Sequence, residues 1–323
     1  MGAFGLDDWD DVDDGDWPTL LLGNGASRAV SSKFAYGSLF SVAPLTRDDR
    51  DLFDALDTTN FEEVLSHLRT ASLVCGQLGH PASEVDDRYE SIRDALIDAV
   101  NDHHVSWHEV DDGDRLLRIR GALLSYQAVF TTSYDLLIYW AMMNAGVPPG
   151  DGFGDLFWNG RHAFDPLDTS PFDNKTLVYW LHGGLHLYRT PAGETRKRTN
   201  NGAGLLATFA SGSRLPLFVS EGTWRRKRSA IRRSDYLEHV YNTFAETAGR
   251  LVVFGQALGS SDGHLITAVL RDPTREVAYG IYPTTQHAAN LQRAQVESHF
   301  PQANITFFDS STHPLGDPAL LVP

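Results

Sequence analysis

The residue best suited to catalysis is His182, which follows the apolar, β-prone run 176–181 and precedes Gly183 and Gly184. Histidine is the usual general base in enzymes because its pKa lies near neutrality. The two glycines predict a tight turn that leaves space beside the imidazole. They weigh against the alternative, a core histidine bonded to backbone. His186 falls in a predicted strand, and we expect a structural role for it.

Three other apolar runs also end in glycine or in short polar residues. The segments that follow them are Gly23–Ser27, Thr131–Asp135 and Gly255–Gly259. In an open α/β sheet, ligands bind beyond the carboxyl ends of the strands. Together with the run that ends at His182, these strand ends predict one nucleotide site along one edge of a sheet.

The first two segments have structural interpretations as well. The Gly23–Ser27 turn between a strand and a helix allows backbone N–H groups to approach a phosphate. The full dinucleotide fingerprint, however, requires glycine where Arg28 stands, and the turn could be purely structural. Asp135 could serve a ligand or cap the helix that follows it. The hydroxyl groups of residues 131–133 could hold a ribose or a water molecule, or they could cap the loop.

Composition and charge narrow the class of protein. The chain has 323 residues, 42% of them hydrophobic, which suits a large α/β domain with an insertion, or two domains. The net charge of −15 argues against nucleic acid as a partner, because phosphate binding needs a positive face. No run approaches the ~20 apolar residues of a membrane helix. The single cysteine, Cys75, excludes an internal disulfide and a four-cysteine zinc module, and we expect a cytoplasmic protein without metal.

Two charged segments stand apart from this composition. In residues 224–233, six of ten side chains are basic. Such a run indicates a solvated helix face that balances an acidic surface, or else a docking patch for an acidic partner or a nucleotide phosphate. Residues 1–17 are rich in aspartate, and we expect a flexible acidic arm there.

The order of elements predicts an α/β fold with a doubly wound, mostly parallel (Rossmann-like) sheet. From Leu251 to Asp309 strands and helices alternate, which implies parallel strands. The first two strands are separated by a long, mostly helical stretch, so we predict a helical insertion at about 45–126 within a domain of residues 18–323. The polar segment Thr190–Gly204 is predicted to be a mobile surface loop.

Taken in order, four of these motifs resemble those of the sirtuin-like family. Gly23–Ser27 resembles its glycine loop, Thr131–Asp135 its T-T-N-Y-D segment, Leu181–Gly183 its L-H-G segment and Gly255–Leu258 its G-x-S-L segment. The later run Gly259–His264 resembles the G-x-x-D-x-H segment of bacterial sirtuin-like proteins. The resemblance covers roughly residues 19–283, and the order and strand context of the motifs are its specific feature.

The resemblance implies that NAD binds in a Rossmann-type pocket. Gly23, Gly25 and Ser27 would lie at the phosphates, Gly255 near the adenosine half and Asp135 near the nicotinamide. The residues implied to bind NAD are Gly23, Asn24, Gly25, Ala26, Ser27, Thr131, Thr132, Gly255, Gln256, Leu258 and Asp262. The residues implied to be catalytic are His182, which falls on the family's catalytic histidine, Ser133 and Asp135.

Two departures from the family pattern bear on activity. Ser133 stands where the family has an asparagine that helps to place the nicotinamide ribose and a water molecule. The single cysteine cannot form the paired-cysteine zinc module of protein-deacylating sirtuins, so peptide deacylation is disfavoured. The resemblance is closer to bacterial, zinc-free sirtuin-like proteins that consume NAD, often in defence against phage.

We therefore expect an NAD glycohydrolase that uses NAD as substrate, needs no zinc, and releases nicotinamide and ADP-ribose. His182 would act as general base on a ribose hydroxyl or on the attacking water. Three alternatives stay open: a catalytically weak sensor that binds NAD or ADP-ribose, an ADP-ribosyltransferase that docks through residues 225–233, and an assembly whose partner contacts switch the pocket. A second copy of the chain or an activating protein is an expected partner, and a membrane is not.

Overall fold

The structure is a computed structural model, and it describes residues 3–34, 39–111, 114–143, 152–168, 175–190, 192–199, 204–205, 216–219, 223–282 and 284–322. The strands in these ranges are β1 (Thr19–Leu22), β2 (Ala128–Thr131), β3 (Phe153–Gly154), β4 (Thr176–Trp180), β5 (Gly183–Arg189), β6 (Thr195–Lys197), β7 (Pro216–Phe218), β8 (Leu251–Phe254), β9 (Glu276–Ile281) and β10 (Asn304–Asp309).

The α-helices of the same ranges begin with α1 (Trp9–Val12), α2 (Asn24–Val30), α3 (Leu39–Val42), α4 (Arg47–Ala55), α5 (Phe61–Leu78), α6 (Ser83–His103) and α7 (Trp107–Val110). They continue with α8 (Arg115–Leu123), α9 (Leu137–Met143), α10 (Trp224–Ile231), α11 (Asp235–Glu246), α12 (Gly263–Val269) and α13 (Gln286–His299). Between β1 and β2 the described residues are mainly helical, and a separate helical insertion stays a prediction.

Seven of the described strands form one parallel sheet in the order β10-β9-β8-β1-β2-β4-β3. The chain leaves β1 on one side for β2 and β4, and on the other side it adds β8, β9 and β10. The winding therefore reverses between β1 and β8, as in a Rossmann-type sheet. β1 and β8 are buried along their whole length, which explains their continuous apolar runs. The predicted α/β, doubly wound fold is confirmed.

A smaller antiparallel sheet joins β5 to β6 and β7. The prediction that Thr190–Gly204 is a mobile surface loop is wrong for β6, where Thr195 and Lys197 are buried. Lys197 Nζ donates to the buried Asp155 at 2.6 Å, and Thr195 Oγ1 donates to Asp235 at 2.6 Å. These polar side chains are satisfied inside the protein, so the polarity of the segment did not indicate exposure.

The acidic N-terminal segment packs against the sheet, in contrast to the predicted flexible arm. Asp7 N donates to Phe307 O at 3.0 Å, and Asp309 N donates to Asp7 O at 2.9 Å, which places the segment beside β10. Trp9 and Trp17 are buried. These aromatic anchors outweigh the surrounding aspartates, because each buries a large apolar surface.

No helix in the described residues is long and apolar enough to cross a membrane.

Candidate functional site

The carboxyl ends of β8, β1, β2 and β4 lie side by side, because these four strands are neighbours in the sheet. The segments Gly23–Ser27, Thr131–Asp135 and Gly255–Gly259 therefore share one edge with His182. The winding reverses between β1 and β8, and open α/β sheets bind ligands at such a reversal. The shared edge makes this region the candidate site, and NAD binding by its residues stays a prediction.

The glycines at the reversal are explained by a contact between two backbones. Gly25 N donates to Gly255 O at 2.9 Å. A Cβ atom on Gly25 would lie 2.5 Å from Gly255 Cα, and one on Gly23 would collide with Gly255 O. Gly255 has a φ of +67°, which favours glycine. The room that these glycines provide is thus used by the opposite loop, so a phosphate would have to approach from another side.

Three further residues implied to bind NAD have side chains that contact the protein: Asn24, Ala26 and Leu258. Asn24 Nδ2 donates to Phe34 O at 3.0 Å. Ala26 and Leu258 are buried, and Leu258 has the uncommon φ of 50°. Their side chains belong to the core, so Ala26 and Leu258 can reach a ligand only through backbone atoms.

Asp135 links the glycine loop to the second segment. Ser27 Oγ donates to one carboxylate oxygen of Asp135 at 2.6 Å, and Leu137 N donates to the other at 2.9 Å. Ser27 and Asp135 are both buried. The bond from Leu137 caps the start of α9, as the structural interpretation of Asp135 requires. Only the remaining lone pairs of this carboxylate can accept from a ligand.

His104, just after α6, supports the Asp135 loop from the helical region. Its Nε2 accepts from Leu136 N at 3.0 Å, and its Nδ1 donates to Val105 O at 2.7 Å. Burial lowers the pKa of His104, although the charge of Asp135 acts in the opposite direction. A neutral ring with one donor and one acceptor satisfies both partners, so this histidine is a structural brace.

A second polar network crosses the edge from β2 to β8. Thr132 Oγ1 donates to Gln256 Oε1 at 2.7 Å, and Gln256 Nε2 donates to Asp262 Oδ2 at 2.9 Å. Gly259 N also donates to Asp262 Oδ2, at 3.2 Å. Three side chains that the sequence assigned to ligand binding therefore bond to one another.

Ser133 has a buried hydroxyl with no hydrogen-bond partner among the described residues. Its backbone N donates to Oγ1 of the fully buried Thr131 at 3.1 Å. Thr131 pairs with Trp180 in the register of β2 and β4, so Ser133 and His182 each lie two residues beyond a paired position. An unpaired buried hydroxyl is uncommon in native proteins, and this one follows β2, the neighbour of the strand that His182 follows.

His182 is buried at the end of β4, and its Nε2 lies 2.8 Å from Nε2 of His264. The two rings are stacked, with centroids 5.0 Å apart and an interplanar angle of 27°. Tyr241 OH donates to the carbonyl oxygen of His264 at 3.0 Å, which secures the start of α12. A histidine pair therefore occupies the end of the site nearest β4.

The proton between these two nitrogens belongs to one ring, and the other ring accepts it. If His182 donates, its Nδ1 carries a lone pair and can take a proton from a ligand. If His264 donates, Nδ1 of His182 carries the hydrogen instead. His264 Nδ1 has no partner among the described residues in either arrangement. The pair thus has two tautomeric arrangements, and one of them makes His182 Nδ1 basic.

Both histidines of the pair are held neutral. Burial lowers the pKa of His182 well below 6.5, and the charges of His264 and Lys227 act in the same direction. Burial, with the charges of Lys227 and Arg228, lowers the pKa of His264 to about 3. Two neutral rings at pH 7 share one N–H between their Nε2 atoms, with one ring as donor and the other as acceptor.

The turn after His182 differs from the sequence prediction. Gly183 has a φ of +74°, and a Cβ atom there would collide with Leu217 O. A Cβ atom on Gly184 would lie 2.8 Å from Cε1 of His186. The room that the glycines leave is therefore filled by β7 and by His186, rather than lying beside the His182 imidazole. Because β7 pairs with the chain directly after His182, a distant strand sets this turn.

His186 is fully buried, stacked on Tyr139 and edge-on to Trp180. Neither of its ring nitrogens has a partner in the described part of the chain. Burial, and then the charge of Lys197, lowers its pKa well below 6.5. Aromatic packing surrounds this ring, in keeping with the structural role expected for it.

Lys227 and His264 are site residues that the sequence reasoning missed. Lys227 is 8% exposed, and its Nζ lies 3.4 Å from Asp262 Oδ1. The basic segment 224–233 carries no signal that separates Lys227 from its neighbours. His264 did have a signal, the G-x-x-D-x-H segment, but spacing alone could not show that it meets His182.

The arginines of the basic segment make ion pairs within the chain. Arg226 pairs with Asp57, Arg228 with Glu238 and Arg233 with Glu63. These pairs agree with a helix face that balances acidic side chains. They also leave less of the segment for docking.

The described ranges contain no cluster of side chains suited to bind a metal ion. They hold no group of three or more His, Cys, Asp or Glu side chains that could bind a metal ion. Cys75 lies on α5 as a free thiol. The expectation of a metal-free protein stays a prediction.

The parallel sheet and the polar cluster at its carboxyl edge define an α/β protein with a Rossmann-like fold. The chain belongs to the family described as Domain of unknown function (DUF4917), whose profile matches residues 20–315. The match spans every strand of the parallel sheet apart from the first residue of β1, together with the whole candidate site. No curated protein matches the chain.

Proposed function

We propose that this protein is an NAD glycohydrolase in which His182 is the general base. The observation that carries the proposal is the convergence of four segments, each resembling a sirtuin-like motif, at one sheet edge. His182 lies at that edge, buried and bonded to His264. The bacterial sirtuin-like proteins that the chain resembles consume NAD, and a role in antiviral defence is part of the proposal.

The reaction needs little from the protein beyond placement of groups. Nicotinamide leaves C1′ of the ribose with the bonding electron pair, and a water oxygen bonds to the same carbon. The water proton passes to Nδ1 of His182, while Nε2–H of His182 stays bonded to Nε2 of His264. ADP-ribose, nicotinamide and one proton are the products. A neutral base at pH 7 supports this step, and the lowered pKa of His182 keeps it neutral.

Ser133 and Asp135 have separate parts in the proposal. Ser133 would hold the attacking water, which its unpartnered hydroxyl in the described structure supports. Asp135 would orient the carboxamide or stabilise positive charge through the lone pairs that Ser27 and Leu137 leave unused. Zinc has no part in this chemistry, and NAD enters as the substrate.

The polar network favours a second candidate, a sensor that binds NAD or ADP-ribose without turnover. Thr132, Gln256 and Asp262 are already bonded to one another. His182 Nε2 is likewise engaged by His264. If His264 donates in that bond, Nδ1 of His182 carries a hydrogen and the site lacks a free base, although it can still bind a ligand through backbone atoms. Ser133 in place of asparagine points the same way.

The test is incubation of the full chain with NAD, followed by chromatography of nicotinamide and ADP-ribose. His182→Ala is the variant, and His67→Ala on α5 is the matched control, because residue 67 lies outside the sheet edge. We expect turnover by the wild type and the control, with a loss of about 10²- to 10⁴-fold in His182→Ala. Equal turnover by all three proteins would refute His182 as the base.

Two further outcomes assign the alternatives. Nicotinamide released without free ADP-ribose would indicate transfer of ADP-ribose to an acceptor. Absence of turnover together with a rise in melting temperature on adding NAD would support the sensor.

A further inference from the structure

Lys227 is a buried cation with little compensation for its charge. Its side chain is 9% exposed, and the sole hydrogen bond of its ammonium group to described residues is the 3.4 Å contact with Asp262. An ammonium group has three donors and is costly to bury unless it is paired. The other oxygen of Asp262 already accepts from Gln256 and Gly259. Lys227 therefore has donor capacity left for an anionic ligand.

Lys227 is linked to both ends of the candidate site. Asp262 and Gln256 connect it to the glycine loop, since the Gln256 amide oxygen would be 2.6 Å from a Cβ atom on Gly23. At the other end, the charge of Lys227 acts on both His182 and His264. A ligand that reaches from the glycine loops to the histidine pair would therefore meet the charge of Lys227.

We propose that Lys227 binds the diphosphate of a dinucleotide, exchanging its long contact with Asp262 for phosphate oxygens. The inference rests on the proposed function, because NAD carries its diphosphate between two riboses and one of these would have to reach His182. A lysine ammonium is a compact point charge that suits phosphate oxygens. Asp262 keeps its bonds from Gln256 and Gly259 when Lys227 moves away.

This contact would also prepare the base. The positive charge of Lys227 contributes to the lowered pKa of both histidines of the pair. A bound diphosphate offsets that charge, so the pKa of each ring rises towards the pH of the reaction. The substrate thereby strengthens His182 as a base when it arrives.

The experiment measures the binding of ADP-ribose, adenosine and inorganic pyrophosphate to the full chain by calorimetry. Lys227→Met keeps the side-chain length without the charge. Arg226→Met removes a charge from the same helix and is the matched control, since Arg226 pairs outward with Asp57. We expect Lys227→Met to weaken ADP-ribose binding by about 10- to 100-fold, as for one charged hydrogen bond. Adenosine binding should not change, and Arg226→Met should leave both affinities intact.

Several results would overturn the assignment. Equal losses of ADP-ribose and adenosine affinity in Lys227→Met would mean a structural role. Unchanged ADP-ribose affinity in that variant, or no binding of ADP-ribose to the wild type, would contradict it directly. Pyrophosphate that binds as tightly as ADP-ribose would assign the site to free phosphate rather than to a dinucleotide.

A second measurement needs no variant and covers the case in which Lys227→Met does not fold. NMR titration of the wild-type histidines should give a higher pKa for His264 with ADP-ribose than with adenosine. The same pKa with both ligands would refute a phosphate beside Lys227.

The failure of this inference is distinguishable from that of the proposed function. Selective loss of ADP-ribose binding in Lys227→Met, with no NAD turnover by the wild type, would support the Lys227 assignment and contradict hydrolysis. NAD turnover with an unchanged KM in Lys227→Met would support hydrolysis and overturn the assignment.

Discussion

Two pairs of buried histidines, His104 with His313 and His182 with His264, differ in how many of their ring nitrogens find a partner. Near β2, His104 and His313 use both nitrogens: His313 Nε2 lies 3.0 Å from Tyr126 OH, and its Nδ1 accepts from Leu315 N at 3.0 Å. At the sheet edge, His182 and His264 share one bond, and His264 Nδ1 has no partner within the described ranges.

The comparison separates a structural histidine from a candidate functional one. Burial lowers the pKa in both regions, so the pKa does not distinguish them. An unsatisfied buried nitrogen costs about 1–3 kcal/mol, and such a cost needs an explanation such as a ligand. His186 also lacks partners for its ring nitrogens, but it is enclosed by Tyr139 and Trp180. Incomplete hydrogen bonding together with a position at the carboxyl edge of the sheet therefore marks the His182–His264 pair as the region with capacity for chemistry.

The largest expected effect is a loss of stability in acid, to which both regions contribute. Burial lowers the pKa of each of His104, His182, His186, His264 and His313. Below about pH 6.5 the unfolded chain binds more protons than the folded chain, so the free energy of unfolding falls as the pH falls. The slope is up to about 1.4 kcal/mol per histidine per pH unit. It continues down to the folded pKa, about 3 for His264 and His313.

Urea unfolding at several pH values between about 7.5 and 5 measures this slope. The midpoint should decrease continuously over that window. A midpoint that stays constant would mean that these histidines are charged or exposed in the folded protein, and the comparison would lose its basis.

His104→Ala should cause the largest loss of stability among single substitutions in the two regions. It leaves Leu136 N and Val105 O without their partners and removes a ring that packs edge-on to Trp140. The free energy of unfolding should fall by about 3–5 kcal/mol, measured by urea denaturation.

His182→Ala is the matched control in the other region. It leaves one nitrogen, Nε2 of His264, without its partner and removes a buried ring stacked on His264, so the expected loss is about 2–3 kcal/mol. Equal losses in His104→Ala and His182→Ala would break the distinction between the two regions.

His264→Leu should lower kcat for NAD by about 10- to 100-fold while KM stays unchanged. Leucine keeps apolar bulk but removes the nitrogen that accepts from His182, so nothing selects the tautomer with a basic Nδ1. Tyr241→Phe is the control, because it removes the bond to the His264 carbonyl and leaves the His264 ring in place. Steady-state kinetics measure kcat and KM separately. A rise in KM alone would show that His264 binds substrate instead of positioning the base.

The sequence predicted the parts of this site that depend on local pattern. The apolar runs of β1, β2, β4 and β8 are long enough to be recognised as strands, and parallel winding brings their carboxyl ends together. The bond between His182 and His264 spans 82 residues of separation, and no periodicity reports it. Lys227 stands in a basic run, and only the packing of α10 against α12 and the turn Ser260–Asp262 turns it inward.

For two other regions the prediction was wrong, because a polar or acidic composition was interpreted as exposure to solvent. The segment that contains β6 is polar, yet the Lys197–Asp155 ion pair satisfies its charge inside the protein. The aspartates near the N-terminus suggested disorder, whereas Trp9 and Trp17 anchor the chain. Partners that are distant in sequence decide both outcomes.

The smallest expected effect concerns Ser133. Its hydroxyl has no partner in the described structure, so Ser133→Ala leaves no other group unpaired. The free energy of unfolding should change by less than about 0.5 kcal/mol. Thr131→Val is the control, because valine has nearly the size of threonine but removes the acceptor for Ser133 N. It should lower the free energy of unfolding by about 1–2 kcal/mol.

Turnover separates the two readings of that unpaired hydroxyl. If Ser133 holds the attacking water, Ser133→Ala should lower kcat for NAD by about tenfold, the equivalent of one hydrogen bond, at nearly constant stability. A loss of stability above about 1.5 kcal/mol would instead give Ser133 a structural partner. The unpaired hydroxyl would then no longer set the sheet edge apart from the region around His104.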